Sequence, residues 1–230
     1  MLADADLAGI GKTLGDAHRA RFLLALMGGE ELSAGELAAR SGASSSLASA
    51  HLSKLLGAGL IVARKRGRRR YYRLAGPQVS QALETLLTIA PPRKAQGLRD
   101  VNRGKAIRRA RTCYDHLAGQ LGVELTEALE RRRLLRRCDG GWEVTPAGCR
   151  YFAGRGIDIP ALRVRRRTLV RPCLDWTERR PHLAGALGAA LAAHLFEQRF
   201  IEHLPGSRAV RVTPAGERHL SASLGLRLAA

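Results

Sequence analysis

The sequence has no uninterrupted apolar run of about 18 residues, the length that a membrane-spanning helix requires. Its first residues, MLADADLAGIGK, are acidic and lack the basic segment that begins a secretory signal. Aromatic residues make up only 4% of the chain, so its cores must be built from leucine, alanine and valine, which favours helices. These absences predict a cytoplasmic protein without a membrane partner.

Acidic residues are scarce beside basic ones. The chain has 39 lysines and arginines against 20 aspartates and glutamates, which gives a net charge of +19 and an isoelectric point of about 11.3. Such a molecule attracts polyanions over a wide pH range. Nucleic acid is the natural partner, and an anionic membrane surface is the competing one. With 230 residues the chain has room for two small domains, each with its own core.

The usual signatures of catalysis are also missing. The sequence has no glycine-rich phosphate loop after an apolar strand, no Gly-x-Ser-x-Gly motif and no carboxylate pair at metal-binding spacing. Its four cysteines, Cys113, Cys138, Cys149 and Cys173, are not closely paired, which indicates reduced thiols. We therefore do not expect an enzyme.

Residues 16–42 carry the start and stop signals of two helices. Asp16 is a plausible N-cap for a helix whose apolar stripe stops at Gly28. Ser33 and Glu36 have the spacing of a capping box, which opens a short second helix. Gly42 then supplies a turn, so the pattern predicts two helices followed by a third.

Ser44 is the expected cap of that third helix. The residues that share its inner face are Ala48, Leu52 and Leu55. The residues that share its outer face are small, polar or basic: Ser45, Ser46, Ser49, Ala50 and Lys54. Two helices joined by a glycine-containing turn form a helix-turn-helix, whose second helix reads the major groove of DNA.

The next segment, 61–74, reads as a β-hairpin with its tip near Gly67. Strand-like pairs, Ile61-Val62 and Tyr71-Tyr72, flank a basic tip that consists of Arg64, Lys65, Arg66, Arg68, Arg69 and Arg70. Taken alone, such a charge run could be a solvated, disordered loop. Beside a helix-turn-helix it is better interpreted as a wing that contacts phosphates without reading sequence.

Three segments together resemble the winged-helix domain of the ArsR family of bacterial transcriptional repressors. They are LGDAHRARFLLAL (14–26), ELAARSGASSSLASAHLSKLLGAGL (36–60) and GRRRYYRL (67–74). In the second segment Ala48-Ser-Ala-His-Leu52 stands where the family has Ser-x-x-His-Leu, with alanine in the first position. The match covers about a third of the chain. The resemblance implies a homodimer that binds a palindromic operator and is released by a metal or another signal. It also places His51 near the DNA backbone, together with Ser44 and the outer-face residues, in preference to a role as a metal ligand.

The resemblance further implies that a helix after the wing helps the protein to dimerise. An apolar stripe follows Pro77, formed by Val79, Ala82, Leu83, Leu86 and Ile89, although packing within one subunit explains it equally well. The chain departs from the arsenic- and cadmium-sensing members in one respect. Where those carry Cys-x-Cys, this sequence has Glu31-Leu-Ser-Ala-Gly-Glu-Leu37, which offers no thiolate for a soft metal.

A polar break at 91–97 predicts a domain boundary near 92–100, with a DNA-binding domain at 1–92 and a second domain at 100–230. The second domain contains an internal repeat with units at about 105–155 and 165–222. Arg111-Thr-Cys113-Tyr-Asp115-His116-LAGQLG recurs as Arg171-Pro-Cys173-Leu-Asp175, followed after six residues by His182-LAGALG. Val-Thr-Pro-Ala-Gly occurs at 144–148 and again at 212–216. We expect each unit to contain a Cys-x-Asp segment, a helix that begins with His-Leu-Ala-Gly, a second helical stretch, a strand, and a helix capped by Thr145 or Thr213.

The repeat brings together residue types that bind metals. Cys113, Asp115, His116, Cys173, Asp175 and His182 could converge if the two halves face each other, and a transition metal is the one cofactor they suggest. Their spacing matches no standard ligand pair, so the first interpretation is core packing and helix capping, and a small-molecule pocket is also open. Arg111 and Arg171 would lower the pKa of a nearby thiol, which favours a reactive cysteine. A catalytic pair of cysteine and histidine is disfavoured because the two copies differ in their spacing to histidine.

The sequence thus predicts a mainly α-helical, two-domain protein. It has a winged helix-turn-helix with a β-hairpin wing and a C-terminal α-rich (α+β) domain built from the repeat. The expected function is that of a dimeric repressor on double-stranded DNA, with an unidentified effector acting through the C-terminal domain. The alternatives are a nucleoid-type protein that coats DNA without sequence preference, and a sensor with the repeated cysteines as metal or thiol ligands.

Overall fold

The computed structural model describes residues 5–227, so the first four residues of the predicted domain 1–92 and the last three of 100–230 lie outside it. The chain folds into two compact units that divide between Leu83 and Glu84. The predicted boundary near 92–100 falls later, in a segment at 91–97 without helix or strand. The division instead lies within a helix, Pro77–Ile89, which carries residues of both units.

The first unit is a helical bundle with a small antiparallel sheet. Its elements are α1 (Leu7–Leu14), α2 (Ala17–Leu26), β1 (Leu32–Ser33), α3 (Ala34–Ser41), α4 (Ser45–Gly57), β2 (Ile61–Arg66), β3 (Arg69–Leu74) and the start of α5 (Pro77–Ile89). The predicted caps are confirmed. Asp16 accepts from the backbone of α2, the capping box of Ser33 and Glu36 is formed, and Ser44 caps α4. Gly42 has a φ of 71°, which explains why glycine stands at the turn between α3 and α4.

The predicted hairpin is also confirmed. Strand β2 pairs with β3 in a register that sets Ile61 opposite Leu74 and Arg66 opposite Arg69, and Gly67 in the turn has a φ of 59°. Strand β1, which sequence patterns did not predict, adds a third strand in the order β1-β3-β2. It consists of two residues, too short for an alternation of apolar and polar positions.

The second unit alternates short hairpins with helices. Its further elements are α6 (Leu98–Arg109), β4 (Arg111–Cys113), β5 (His116–Ala118), α7 (Gly119–Arg131), β6 (Leu135–Cys138), β7 (Gly141–Val144), α8 (Pro146–Ala153), α9 (Ile159–Arg163), β8 (Arg171–Leu174), β9 (Pro181–Ala184), α10 (Gly185–Glu197), β10 (Ile201–His203), β11 (Val210–Val212) and α11 (Pro214–Leu224). The pairs β4-β5, β6-β7, β8-β9 and β10-β11 are antiparallel hairpins. The order hairpin, helix, hairpin, helix thus occurs from 111 to 153 and again from 171 to 224.

Two details of the predicted units are wrong. The His-Leu-Ala segments at His116 and His182 are strands, and the helices begin only at Gly119 and Gly185. Each of these glycines has a positive φ, 75° and 88°, so the chain turns there before the helix starts. The expected second helical stretch is absent from the described part of each unit, because α7 and α10 lead directly into the hairpins β6-β7 and β10-β11.

The core of the second unit lies between α7, α10 and the hairpins. Phe152, Leu129 and Leu187 are fully buried in it. Threonine caps with proline at the first turn start α8 and α11, as predicted. None of the helices in residues 5–227 is long and apolar enough to cross a membrane.

Candidate nucleic-acid interface and cysteine-histidine cluster

Helix α4 presents a polar face to solvent. Its inward side chains, Ala48, Leu52 and Leu55, are buried. The exposed residues of this helix and its cap include Ser44, Ser45, Ser46, Ser49, Ala50 and Lys54. The sequence of α4, SSLASAHLSKLLG, contains no carboxylate, so this face offers hydroxyl groups and a lysine without a negative charge that would repel phosphate.

His51 is located differently from its neighbours on α4. It is only 7% exposed, its Nδ1 lies 3.5 Å from Asp16 Oδ1 and 3.4 Å from Arg19 Nη1, and its ring stacks on His18. Arg19 is itself held by the carbonyl oxygens of Lys12 and Thr13. His51 thus packs α4 against α2, and its expected place near the DNA backbone stays a prediction.

The β2-β3 hairpin concentrates positive charge. Arg64, Lys65, Arg66, Arg68, Arg69 and Arg70 are all exposed. The register places Lys65 opposite Arg70 and Arg66 opposite Arg69, and like charges in such cross-strand pairs repel each other. Arg66 is partly compensated by Glu31 at 2.6 Å. The hairpin keeps a surplus of positive charge that an anionic partner would stabilise.

A second group of predicted residues comes together in the second unit. The ligand atoms of Cys113, His116, Cys173 and His182 all lie within 4.8 Å of one another, and all four residues are buried. The sulfur atoms of the two cysteines are 4.0 Å apart, and both cysteines are free thiols. The imidazole centroids of the two histidines are 5.1 Å apart. The hairpins β4-β5 and β8-β9 supply one cysteine and one histidine each, because their registers place Cys113 opposite His116 and Cys173 opposite His182.

The predicted aspartates lie behind this group. Asp115 lies 3.4 Å from His116 Nδ1 and is held by both terminal nitrogens of Arg167. Asp175 lies 3.5 Å from His182 Nδ1 and accepts hydrogen bonds from Arg111 and from the backbone of Gly119. Each imidazole therefore has a carboxylate on its Nδ1 side, and each carboxylate has an arginine.

The surroundings shift the pKa values of these groups in opposite directions. The hydrogen bond shared by the two thiols, together with burial, raises the pKa of Cys113, whereas the same hydrogen bond lowers the pKa of Cys173. Burial opposes the charging of His116, but Cys113 and Asp115 outweigh it and raise the pKa of His116 to about 9. Burial and the facing charge of His116 hold the pKa of His182 well below its ordinary value.

Arg171 helps to lower the pKa of the Cys173 thiol, as expected. The expected effect of Arg111 on the Cys113 thiol is not found, because the Arg111 guanidinium pairs with carboxylates. Its Nη2 lies 3.0 Å from Asp175 Oδ2 and 3.4 Å from Glu84 Oε2, and the side chain is fully buried. Glu84 is also bound by Arg208 at 2.9 Å. Sequence reasoning missed Glu84 and Arg208, since no repeat or motif marks them. The one feature of the sequence that marked this ion-pair network was Arg111, which recurs as Arg171 in the second copy of the repeat.

Comparison with known proteins finds relatives of this chain among transcriptional regulators. The model of the helix-turn-helix domain family matches residues 14–64. The chain is 42% identical over 223 residues to the uncharacterized HTH-type transcriptional regulator YdfF of Bacillus subtilis, covering 95% of this chain and 99% of YdfF. It is 40% identical over 88 residues to the HTH-type transcriptional regulator CmtR of Mycobacterium bovis, covering 38% of this chain and 74% of CmtR.

Among solved structures, the homodimeric winged helix-turn-helix DNA-binding domain Mb0332 of Mycobacterium bovis, described as "a possible ArsR-family transcriptional regulator", is 30% identical with a TM-score of 0.33. The similarity covers 39% of this chain and 89% of that domain. The similarity to YdfF extends through both units, and the helix-turn-helix match coincides with α2 to β2. The chain therefore belongs to the HTH-type transcriptional regulators.

Proposed function

We propose that this regulator is a homodimeric repressor that binds a palindromic operator, with α4 in the major groove and the β2-β3 hairpin on the flanking phosphates. The observation that carries this proposal is the exposed face of α4, rich in hydroxyl groups and free of carboxylates, beside a hairpin with surplus positive charge. Hydroxyl groups bond to base edges, and arginines bond to phosphates. A signal received in the C-terminal unit would change operator binding.

The apolar side of α5 supports the homodimer. Within one chain this helix buries polar positions, since Ser80 is 2% exposed and Glu84 is 1% exposed. Its apolar residues Leu86 and Ile89 are 44% and 77% exposed. A second copy of the chain, related by a twofold axis, would cover this apolar side with the same side of its own α5.

The second unit consists of two halves with the same order of elements, which indicates a duplicated segment. We infer that 105–155 and 165–222 are copies of one unit, because the hairpin-helix-hairpin-helix order and the Val-Thr-Pro-Ala-Gly segments recur together. The packing is reciprocal. A Cβ on Gly122 of α7 would lie 3.6 Å from the Cβ of His182, and one on Gly188 of α10 would lie 3.3 Å from the Cβ of His116.

The proposal is tested by selecting operators from a random DNA library with the full-length protein. We expect an inverted repeat whose affinity exceeds that of scrambled DNA by about 1,000-fold or more at physiological salt. Transcription in vitro from a promoter that overlaps this repeat should fall when the protein is added. A nucleoid-type protein, the alternative suggested by the charge of +19, would bind both DNAs alike.

The outer face of α4 should carry the selectivity. Replacing Ser46 and Ser49 with alanine should lower the preference for operator over scrambled DNA by at least about 10-fold, because each hydrogen bond to a base that is removed costs about 1–3 kcal/mol. Affinity for scrambled DNA should hardly change. Competition binding measures both quantities, and Ser221→Ala, an exposed serine on α11, is the control. Unchanged selectivity in the double variant would mean that α4 is not the helix that recognises the operator sequence.

The exposed side of α5 should hold the dimer. Leu86→Asp/Ile89→Asp should convert the dimer to a monomer in light scattering, because two carboxylates would be buried at the interface. Operator affinity should fall as well, since one half-site is then bound alone. Val164→Asp/Leu174→Asp, which changes two residues that are 86% and 50% exposed in the C-terminal unit, should remain dimeric. A dimer that survives the α5 change would locate the interface elsewhere.

A further inference from the structure

The group formed by Cys113, His116, Cys173 and His182 has the donor set of a tetrahedral metal site. Two thiolates and two imidazoles bind Zn²⁺ at about 2.3 Å through sulfur and about 2.0–2.1 Å through nitrogen. A tetrahedron with those bond lengths sets its two sulfurs about 3.8 Å apart. The Sγ atoms of Cys113 and Cys173 are 4.0 Å apart, and all four ligand atoms lie within 4.8 Å of one another. The ligands therefore need only small adjustments to close on an ion.

The histidines carry polar atoms that the protein does not satisfy. Among the described residues, Nε2 of His116 and both ring nitrogens of His182 have no hydrogen-bond partner, although both side chains are buried. Burial of an unpaired polar group is unfavourable, so such atoms are rare in folded proteins. A metal ion bound through the Nε2 atoms of both histidines would satisfy these two nitrogens.

The two aspartates lie beside the opposite ring nitrogens, the Nδ1 atoms. Asp115 lies beside Nδ1 of His116 at 3.4 Å, and Asp175 lies beside Nδ1 of His182 at 3.5 Å. Histidines that bind metals usually donate their other ring N–H to a carboxylate, which fixes the ring and leaves the opposite nitrogen for the ion. Arg167 and Arg111 hold these carboxylates in turn.

We propose that these two cysteines and two histidines bind one divalent transition-metal ion of the zinc class per chain, with Asp115 and Asp175 as positioning residues. Four protein ligands leave no open position, so the site holds an ion and does not activate water. A disulfide between Cys113 and Cys173 is the competing use of the pair, but it would leave both Nε2 atoms unsatisfied. The site lies in the C-terminal unit and does not depend on the DNA-binding proposal, because metal content can be measured without DNA.

The proposal is tested by measuring the metal content of the full-length protein after it has been loaded with Zn²⁺ or Co²⁺ under reducing conditions and dialysed. We expect one tightly held ion per chain by elemental analysis. The Co²⁺ form should have intense visible bands of tetrahedral coordination and a thiolate-to-metal charge-transfer band. Cys113→Ser/Cys173→Ser should lose these bands and bind the ion at least about 100-fold more weakly, since serine supplies no thiolate. The control is Cys138→Ser/Cys149→Ser, which removes the other two cysteines and should bind like the unchanged protein.

A second variant guards against the possibility that the cysteine changes abolish metal binding by unfolding the protein. Asp115, 31% exposed in its side chain, can be changed to asparagine without burying a new group, and Asp115→Asn should weaken Co²⁺ binding by about 10–100-fold while the tetrahedral bands persist. The proposal is overturned if the unchanged protein holds no ion, or if Cys113→Ser/Cys173→Ser binds it as the control does. It is also overturned if mass spectrometry finds a Cys113–Cys173 disulfide that forms in air equally well with and without bound metal.

Discussion

Replacing Arg68, Arg69 and Arg70 with alanine should weaken binding to operator and to scrambled DNA alike, by about 100-fold at physiological salt. Each arginine that neutralises a phosphate releases counterions, which is worth about fivefold in affinity near 0.15 M salt. The logarithmic dependence of affinity on salt should become shallower by about 0.9 for each phosphate that is no longer neutralised, so by about 2.7 for three. Selectivity should persist because phosphate contacts carry no base information. Binding isotherms between about 50 and 300 mM salt measure both quantities.

The C-terminal unit offers a matched control for this charge removal. Arg163, Arg165 and Arg166 are three exposed arginines within four residues, and their replacement by alanine lowers the net charge equally. If both triple variants bound DNA equally weakly, the effect would come from net charge and not from the hairpin. If the hairpin variant kept its salt dependence, the basic hairpin would be a solvated loop.

The DNA-binding unit could be predicted closely because its signals are local. A capping box, a glycine in a turn and a basic hairpin tip between strand-like pairs are each recognised within a few positions, and the structure has all three where the sequence placed them. The burial of His51 was not predicted, for the same reason. Its burial depends on Asp16 and Arg19, more than thirty positions away, and no local pattern reveals a partner at that distance.

The second unit could be predicted only in part. The repeat pointed to Cys113, His116, Cys173 and His182 as one set, since equivalent positions of two copies can face each other across a pseudo-twofold axis. The strands at His116 and His182 were mistaken for helix starts because His-Leu-Ala-Gly has no strand alternation and runs directly into an amphipathic helix. Glu84 could not have been assigned, because its partner Arg208 is 124 positions away in the chain.

The buried arginine next to this set should be essential for the stability of the C-terminal unit. Arg111 is fully buried, and its Nη2 serves both Asp175, also fully buried, and Glu84. Arg111→Met keeps much of the volume but removes the positive charge, so the carboxylate of Asp175 would stay buried without its counterion. Breaking a buried ion pair from one side costs about 3–5 kcal/mol. Arg208 still binds Glu84, and the backbone of Gly119 still donates to Asp175, so part of the network remains.

Tryptophan fluorescence reports on unfolding of the second unit. The sequence has two tryptophans, Trp142 and Trp176, and both belong to that unit, which begins at Glu84. Urea unfolding of the full-length protein, monitored by tryptophan emission, should give a free energy of unfolding about 3–5 kcal/mol lower for Arg111→Met. The control is Arg108→Met, the same change at an exposed position of α6, which should cost less than about 0.5 kcal/mol. Adding Asp175→Asn to Arg111→Met should recover part of the stability, because an amide is less costly to bury than an unpaired carboxylate. Equal stabilities for Arg111→Met and Arg108→Met would mean that Asp175 does not depend on Arg111. Its other donors, among them the backbone N–H of Gly119 and the hydroxyl of Thr177, would then be sufficient to hold the charge.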